Sequence, residues 1–307
     1  DRRRDLVGLL AAVEAAVDEL APILVAEQGK PLADARGEIF AAGVWLRYYA
    51  ELEVPREIIR DDAERFEEVY RRPLGVVSAI TPWNFPITLA MWKIAPALRA
   101  GNTIVVKPSP YTPLTTLALA RVLRGVLPDG VLNVVTGPDP LGAALVSHLV
   151  PRKVSFTGST AVGKRVAIAA AADLKRVTLE LGGNDPAIIL KDADVEAVAA
   201  KLFWSAFGNN GQICLAVKRV YAHEDVQPAL VEALGELARK ARVDDGMVEG
   251  AQLGPLNNKP QFERIKDLVS DAVTNGARVV SGGHVIERPG CFYSPTILGN
   301  VNDSFRV

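Results

Sequence analysis

Between Gly75 and Leu181, short β-branched runs alternate with stretches whose apolar residues fall at helical spacing, and this constrains the fold more than any other feature. Strands are predicted at Gly75–Ile80, Thr103–Val106, Leu132–Val135, Val154–Phe156 and Val177–Leu181. Between them fall helices at Ile87–Arg99, Leu114–Arg124, Leu141–Leu149 and Ala161–Ala172. Continuous apolar strands joined by helices make βαβ units around a parallel sheet buried on both faces, an α/β fold. Ligands of such sheets sit beyond the carboxyl ends of the strands. That rule lines up Thr81–Pro86, Lys107–Pro110, Thr157–Gly163 and Glu180–Gly183 along one edge.

The flanks have another character. The first fifty residues read as two helices broken at Gln28-Gly29-Lys30-Pro31, where glycine ends one helix and proline starts the next. Val54–Arg60 and Phe66–Arg72 form strand-like runs around Asp61-Asp62-Ala63-Glu64, an expected hairpin that serves as a surface arm or an oligomer contact. From about Asn184 a second α/β unit is expected. It has strands at Pro186–Leu190 and Val217–Tyr221, helices at Val195–Trp204, Val226–Arg239 and Gln261–Asn275, and a Gly/Asn-rich loop at Gly208–Gly211. The expected domains are 1–53 with 73–183, the arm 54–72, and 184–307.

With 307 residues, 49 % hydrophobic and 23 % charged, the chain suits two globular domains. A net charge of −1 gives no basic excess for nucleic acid or an anionic membrane. No apolar run approaches the roughly 18–20 residues of a membrane span. Two cysteines, Cys214 and Cys291, argue against a disulfide framework and for a reducing cytoplasm. His148, His223 and His284 are scattered, so no metal site is expected. Asp1 opens inside a helical pattern and Val307 follows no stop signal, so the chain reads as a fragment of a longer protein.

Thr157-Gly158-Ser159-Thr160-Ala161-Val162-Gly163-Lys164 follows a strand and opens a helix, where small residues let a backbone approach a phosphate. A plain tight turn explains it equally. Arg165 stands where a nucleoside-triphosphate loop needs Ser or Thr for magnesium, and no G-x-G-x-x-G occurs. Cys214, in Gly211-Gln212-Ile213-Cys214, is an inert core thiol or a nucleophile; the latter needs its thiolate stabilised. Glu180, before Gly182-Gly183, caps or pairs locally, or serves as a base. Asn84, in Pro82-Trp83-Asn84-Phe85-Pro86, ties a turn or donates to an oxyanion.

Taken in order, Thr81-Pro82-Trp83-Asn84-Phe85-Pro86, Ala95-Pro96-Ala97-Leu98 with Gly101-Asn102, Lys107-Pro108-Ser109, Phe156-Thr157-Gly158-Ser159-Thr160, Leu179-Glu180-Leu181-Gly182-Gly183 and Gly211-Gln212-Ile213-Cys214 make a far more specific pattern. With these motifs and a separation of 34 residues from Glu180 to Cys214, the whole chain resembles the aldehyde dehydrogenase superfamily. The resemblance implies a Rossmann-like cofactor domain, an α/β catalytic domain incomplete here, and a β-hairpin oligomerisation arm. It implies oxidation of a small-molecule aldehyde to a carboxylic acid with NAD, or alternatively NADP, by a homodimer or homotetramer when full length.

Residue by residue, the resemblance makes Cys214 the nucleophile, Glu180 the base for water, Asn84 an oxyanion donor, and Lys93 a member of a proton relay. Lys107 resembles the ribose-binding lysine, and Gly158 and Ser159 the pyrophosphate contact. Trp83 and Gly163 flank the cofactor, and Thr81, Pro82, Ser109, Pro110, Leu181 and Gly182 complete the implied cofactor set. Leu89, Trp92, Ile213 and Leu215 fall where the family lines its substrate site. Two departures stand out. Pro110 replaces the glutamate by which many members select NAD over NADP, and the family's Glu-x-Phe-Gly-Pro segment would begin beyond Val307. The neighbouring readings are a CoA-acylating semialdehyde dehydrogenase, against which Glu180 counts, and a non-catalytic structural relative, against which Cys214, Glu180 and Asn84 count together.

Overall fold

The structure, a computed structural model, describes residues 2–307. They form two compact units. The first comprises residues up to Ile23 together with Arg36–Leu181; the second comprises Leu24–Ala35 with Gly182–Val307.

The amino-terminal region holds three helices, α1 (Arg2–Ala15), α2 (Val17–Gln28) and α3 (Leu32–Glu51). One helix was expected before Gln28. The register restarts at Ala16, whose carbonyl accepts from both Glu19 and Leu20, and Pro22, which removes a helical N–H, lies just beyond. The hairpin follows as β1 (Glu57–Asp61) and β2 (Phe66–Val69), antiparallel, with a register shift between Ile58 and Arg60. Asp62 builds its turn, its Oδ1 accepting from the N–H groups of Glu64 (2.8 Å) and Arg65 (3.0 Å).

The predicted alternation is then realised as β3 (Val76–Ile80), α4 (Pro86–Arg99), β4 (Thr103–Lys107), α5 (Leu114–Val122), β5 (Leu132–Val134), α6 (Asp139–Ser147), β6 (Pro151–Thr157), α7 (Thr160–Ala171) and β7 (Arg176–Glu180). The five strands form one sheet in the order β5-β4-β3-β6-β7, every neighbouring pair parallel. The chain winds outward from β3 to β5, and α6 then returns it to the other side of β3. The switch in winding direction falls between β3 and β6, where open α/β sheets bind ligands. Val146, Val154, Phe156, Val166 and Ala170 pack one part of the core. Gly101, at φ +85°, ends α4 in a conformation that glycine adopts without strain. Beside it, Asn102 Oδ1 accepts from the N–H groups of Leu74 (2.7 Å) and Gly75 (3.1 Å), fixing the start of β3.

In the second unit, β8 (Asp185–Ile189) and β9 (Val217–Ala222) form a parallel pair. Helices α8 (Val195–Phe207) and α9 (Gln227–Lys240) bury Phe203, Leu202, Leu230 and Leu234 against it. Helix α10 (Lys259–Thr274) starts at Asn258, whose side chain caps the N–H of Gln261. An antiparallel pair, β10 (Arg278–Ser281) with β11 (Ile297–Gly299), has no counterpart among the strands expected from sequence.

One expected boundary moves. Residues 24–35, read with the first domain, belong to the second unit. Polar contacts hold them there: Leu32 N–H donates to Gly246 O (2.9 Å), and Asn257 Nδ2 donates to Glu27 O (3.0 Å) and Gln28 O (3.3 Å). The later division falls at Leu181/Gly182, two residues before the expected one.

Candidate active site

The carboxyl ends of the first unit's strands carry most of the candidate residues. Register sets Ile80 opposite Lys107 and Phe156, and Thr157 opposite Glu180. Beyond β3, Thr81 N–H donates to Lys107 O at 3.0 Å, and the half-buried Pro82, Trp83 and Asn84 lead into α4. Phe85 supplies no side-chain cap for that helix. Buried Glu38 of α3 does so instead, its Oε1 accepting from the N–H groups of Ile87 (2.8 Å) and Thr88 (3.2 Å). A carboxylate at a helix amino end is doubly favoured, by hydrogen bonds and by the helix dipole. Glu38 therefore anchors the turn that bears Asn84, and only its distance in sequence hid it.

Lys93 points from α4 to the end of β6. It is 6 % exposed and donates to Thr157 Oγ1 (2.7 Å) and Ser155 Oγ (3.3 Å). Burial pushes its pKa down to about 8; the Glu180 carboxylate pulls it back up, while Lys153 adds to the fall. The structure thus brings Lys93 into the field of exposed Glu180, beside Thr157, the first residue of the loop noted in the sequence, and Ser155, which the sequence did not mark out. Leu89 is buried in α4, and Trp92, half-exposed, packs edge-on against Trp45 at 5.2 Å.

Lys107 is 3 % exposed, and its Nζ donates to Pro108 O at 3.2 Å. Burial lowers its pKa, and Asp139 at the start of α6 opposes the fall. Gly142 of α6 stands over its stem: a Cβ there would lie 3.7 Å from Lys107 Cδ. Ser109 is buried and its Oγ accepts from Tyr111 N–H, whereas Pro110 is exposed. Beyond β6, Ser159 caps α7 by accepting from Val162 N–H (3.3 Å). Gly163 lets α7 close on Leu181, since a Cβ there would meet Leu181 Cδ2 at 2.5 Å.

These residues suit a dinucleotide. A buried ammonium, a glycine-lined helix amino terminus and the Thr81 hydroxyl converge on the ends of adjacent strands. Thr81 Oγ1 is buried and has no hydrogen-bond partner among the described residues, which is an unmet demand for a polar ligand atom.

Cys214 belongs to the second unit, as do Gly182, Ile213 and Leu215, whereas Asn84, Lys93 and Glu180 belong to the first. Its approach runs through a 3-10 turn, Gly208–Gly211, in which Asn209 and Asn210 take φ of 49° and 58°. Asparagine tolerates that left-handed region better than most residues. Amide clamps hold the turn. Asn210 Oδ1 accepts from Gly254 N–H at 3.0 Å, and its Nδ2 donates back to Gly254 O. Gln212 Oε1 accepts from Asn257 N–H (2.9 Å), and its Nε2 donates to Asn209 O (3.0 Å). Cys214 is half-buried with a free thiol, and Leu215 is 61 % exposed. Of these holders, the Gly/Asn loop and Gln212 of the Gly211-Gln212-Ile213-Cys214 motif gave a signal in the sequence, whereas Gly254 and Asn257 gave none. No cluster that could hold a metal ion occurs among the described residues, and no helix there is long and apolar enough to cross a membrane.

A five-stranded parallel sheet whose winding switches between β3 and β6 is an α/β architecture of the kind that takes ligands at the carboxyl ends of its strands. Residues 1–307 match the aldehyde dehydrogenase family, and the chain belongs to that family. It is 42 % identical over 292 residues to the mitochondrial succinate-semialdehyde dehydrogenase of Arabidopsis thaliana, covering 94 % of this chain and 55 % of that protein. To the NADP-dependent succinate-semialdehyde dehydrogenase GabD of Escherichia coli it is 41 % identical, covering 94 % of this chain and 61 % of GabD. An NAD+ complex of the aldehyde dehydrogenase from Bacillus cereus superposes with a TM-score of 0.97 at 36 % identity, covering 99 % of this chain and 63 % of that one. The chain therefore spans between a half and two thirds of the length of these relatives.

Proposed function

We propose that the protein to which this chain belongs oxidises an aldehyde to a carboxylic acid with NAD or NADP. The observation that carries the reading is a cysteine on an amide-clamped turn in a chain whose sheet edge bears Asn84, Lys93, Lys107 and Glu180. The names of the relatives support it.

In this reading the Cys214 thiolate adds to the aldehyde carbon and forms a thiohemiacetal, whose oxyanion accepts hydrogen bonds from Asn84 Nδ2 and the Cys214 N–H. A bound nicotinamide supplies the hydride acceptor. Lys107, Thr81 and the amino end of α7 at Gly158–Ser159 would hold the dinucleotide, and Pro82, Trp83, Ser109, Gly163, Leu181 and Gly182 would complete its set. Loss of hydride leaves a thioester on Cys214. Glu180 takes a proton from water, the hydroxide displaces the thiolate, and the acid departs. Lys93, whose pKa near 8 lets it give or take a proton at neutral pH, relays protons with Glu180 through Thr157.

The apolar Leu89, Trp92, Ile213 and Leu215 fit the aldehyde's carbon chain. On the hairpin, Ile58, Ile59, Phe66 and Tyr70 are 57 %, 63 %, 59 % and 49 % exposed, which supports its use as a homodimer or homotetramer contact. Two free thiols suit a cytoplasmic location.

The test is a panel of aldehydes with NAD and NADP, followed by absorbance of the reduced nicotinamide in the full-length protein. At least one aldehyde is expected to turn over, and Cys214→Ala is expected to lower that rate by about four orders of magnitude or more. Near-parental turnover in Cys214→Ala would overturn the reading.

A further inference from the structure

Lys218 is the second residue of β9, yet its side chain folds back onto the turn before the strand. Its Nζ donates to Ile213 O at 3.1 Å and to Ala216 O at 3.3 Å. The same Ile213 carbonyl accepts from Ala216 N–H at 3.2 Å, closing a tight turn with Cys214 and Leu215 at its corner. The ammonium thus braces both ends of the segment that presents the thiol.

Its electrostatic surroundings give the brace a second effect. The titratable groups that act on Lys218 are Asp185, at the start of β8, and Cys214; both favour its charge, against the burial that disfavours it. Asp185 also lies close to the cysteine backbone. A Cβ built on Gly183 would stand 2.7 Å from Asp185 Oδ1 and 2.4 Å from Cys214 O, so the carboxylate and the Cys214 carbonyl flank one glycine. A carboxylate beside a thiol discourages ionisation, and a cation beside it encourages ionisation.

Resting on the reading of Cys214 as the nucleophile, we propose that Lys218 is a positioning residue for that nucleophile: it pins the Ile213–Ala216 turn and offsets the Asp185 carboxylate, so that a thiolate at the corner of the turn is favoured. Nothing in this role requires Lys218 to touch substrate or cofactor.

The test is the pH dependence of iodoacetamide alkylation of Cys214 in full-length protein carrying Cys291→Ser, with loss of dehydrogenase activity followed in parallel. Removing the cation in Lys218→Met should move the thiol's titration to higher pH. The alkylation rate at neutral pH is then expected to fall about tenfold for every pH unit by which the midpoint rises, and to converge with the parent's at alkaline pH. Lys218→Arg, which keeps the charge, should restore most of the neutral-pH rate. If Lys218→Met does not fold, as read by circular dichroism, salt on the parent protein provides the measurement. High ionic strength screens the exposed cation and should slow alkylation at neutral pH. A Lys218→Met profile superimposable on the parent's, or a parent rate indifferent to salt, would overturn the proposal. Alkylation of Cys214 that leaves activity intact would instead bring down the nucleophile reading on which it rests.

Discussion

In the first unit every candidate residue lies within a few positions of a strand's carboxyl end or on the helix that follows it, and the parallel ladder from β5 to β7 fixes those ends relative to one another. Lys107, Thr81, Thr157 and Glu180 inherit their placement from backbone register. The second unit has no comparable sheet. Cys214 follows a turn with two left-handed asparagines, held by Asn210 against Gly254, Gln212 against Asn257, and Lys218 against Ile213 and Ala216. Backbone ladders distribute the cost of a single substitution over many hydrogen bonds. A loop hung on a few side-chain amides concentrates it. Substitutions at strand ends should therefore change chemistry and leave the fold alone, whereas those at the clamps should change both.

Glu180→Gln is the most severe strand-end case. The amide cannot take a proton from water, so thioester hydrolysis is expected to slow by about 10²–10⁴-fold while the initial burst of reduced nicotinamide survives. Stopped-flow absorbance against steady-state rate measures the split, and melting should be unmoved. A large fall in melting temperature would show that strand ends are not the robust sites this contrast makes them.

Gly254→Ala probes the clamp. A Cβ there would lie 1.8 Å from Gly29 O and 2.8 Å from Gly29 C, both backbone atoms that cannot swing aside. The expected cost is about 1–3 kcal/mol, which at about 2–4 °C per kcal/mol for a unit of this size appears in calorimetry. Slower Cys214 alkylation should accompany it, with dinucleotide binding by fluorescence titration preserved. Parental stability would mean that the turn is held elsewhere.

The smallest effect is expected at exposed Pro110. Pro110→Glu places a carboxylate on the loop after Lys107, where it would repel a 2′-phosphate. Two unit charges about 4 Å apart interact by roughly 4 kcal/mol at an effective dielectric near 20, before the screening that exposure brings. A rise of about tenfold in the NAD/NADP ratio of kcat/KM is expected, mainly from weaker use of NADP. A flat ratio would mean that Pro110 does not face the ribose.

The sheet was legible because burial on both faces writes itself into the sequence as unbroken runs such as Ile104-Val105-Val106, and the carboxyl ends of the strands then follow to within one residue, although β6 starts three residues before its expected start. The motifs that carry the family resemblance lie largely on those ends. What escaped was non-local. Glu38 caps α4 from 49 residues away, and Gly254 meets Asn210 across 44. No local pattern in composition or spacing marks either partner. Residues 24–35 read as part of the first unit because they continue the helical pattern of their neighbours, and periodicity reports which face is buried without saying against what. The pair β10 and β11 escaped for a related reason: each is short, and a long loop separates them.

The excursion of residues 24–35 also bears on how the chain reaches its native state. Asn257 and Glu27, which the second unit joins by a hydrogen bond, lie 230 residues apart in sequence. Closing so long a loop carries an entropic cost that must be met before the contact gives anything back, and high contact order slows folding. During synthesis the parallel sheet has all its strands once Glu180 has emerged, whereas the 24–35 segment waits for residues 242–258 to be made. The second unit is thus the late-folding one, and an excised piece beginning at Gly182 would lack the stretch of chain that Asn257 and Gly246 grip. Any dissection of this protein into separately folding parts has to carry that amino-terminal segment along with the carboxyl-terminal half.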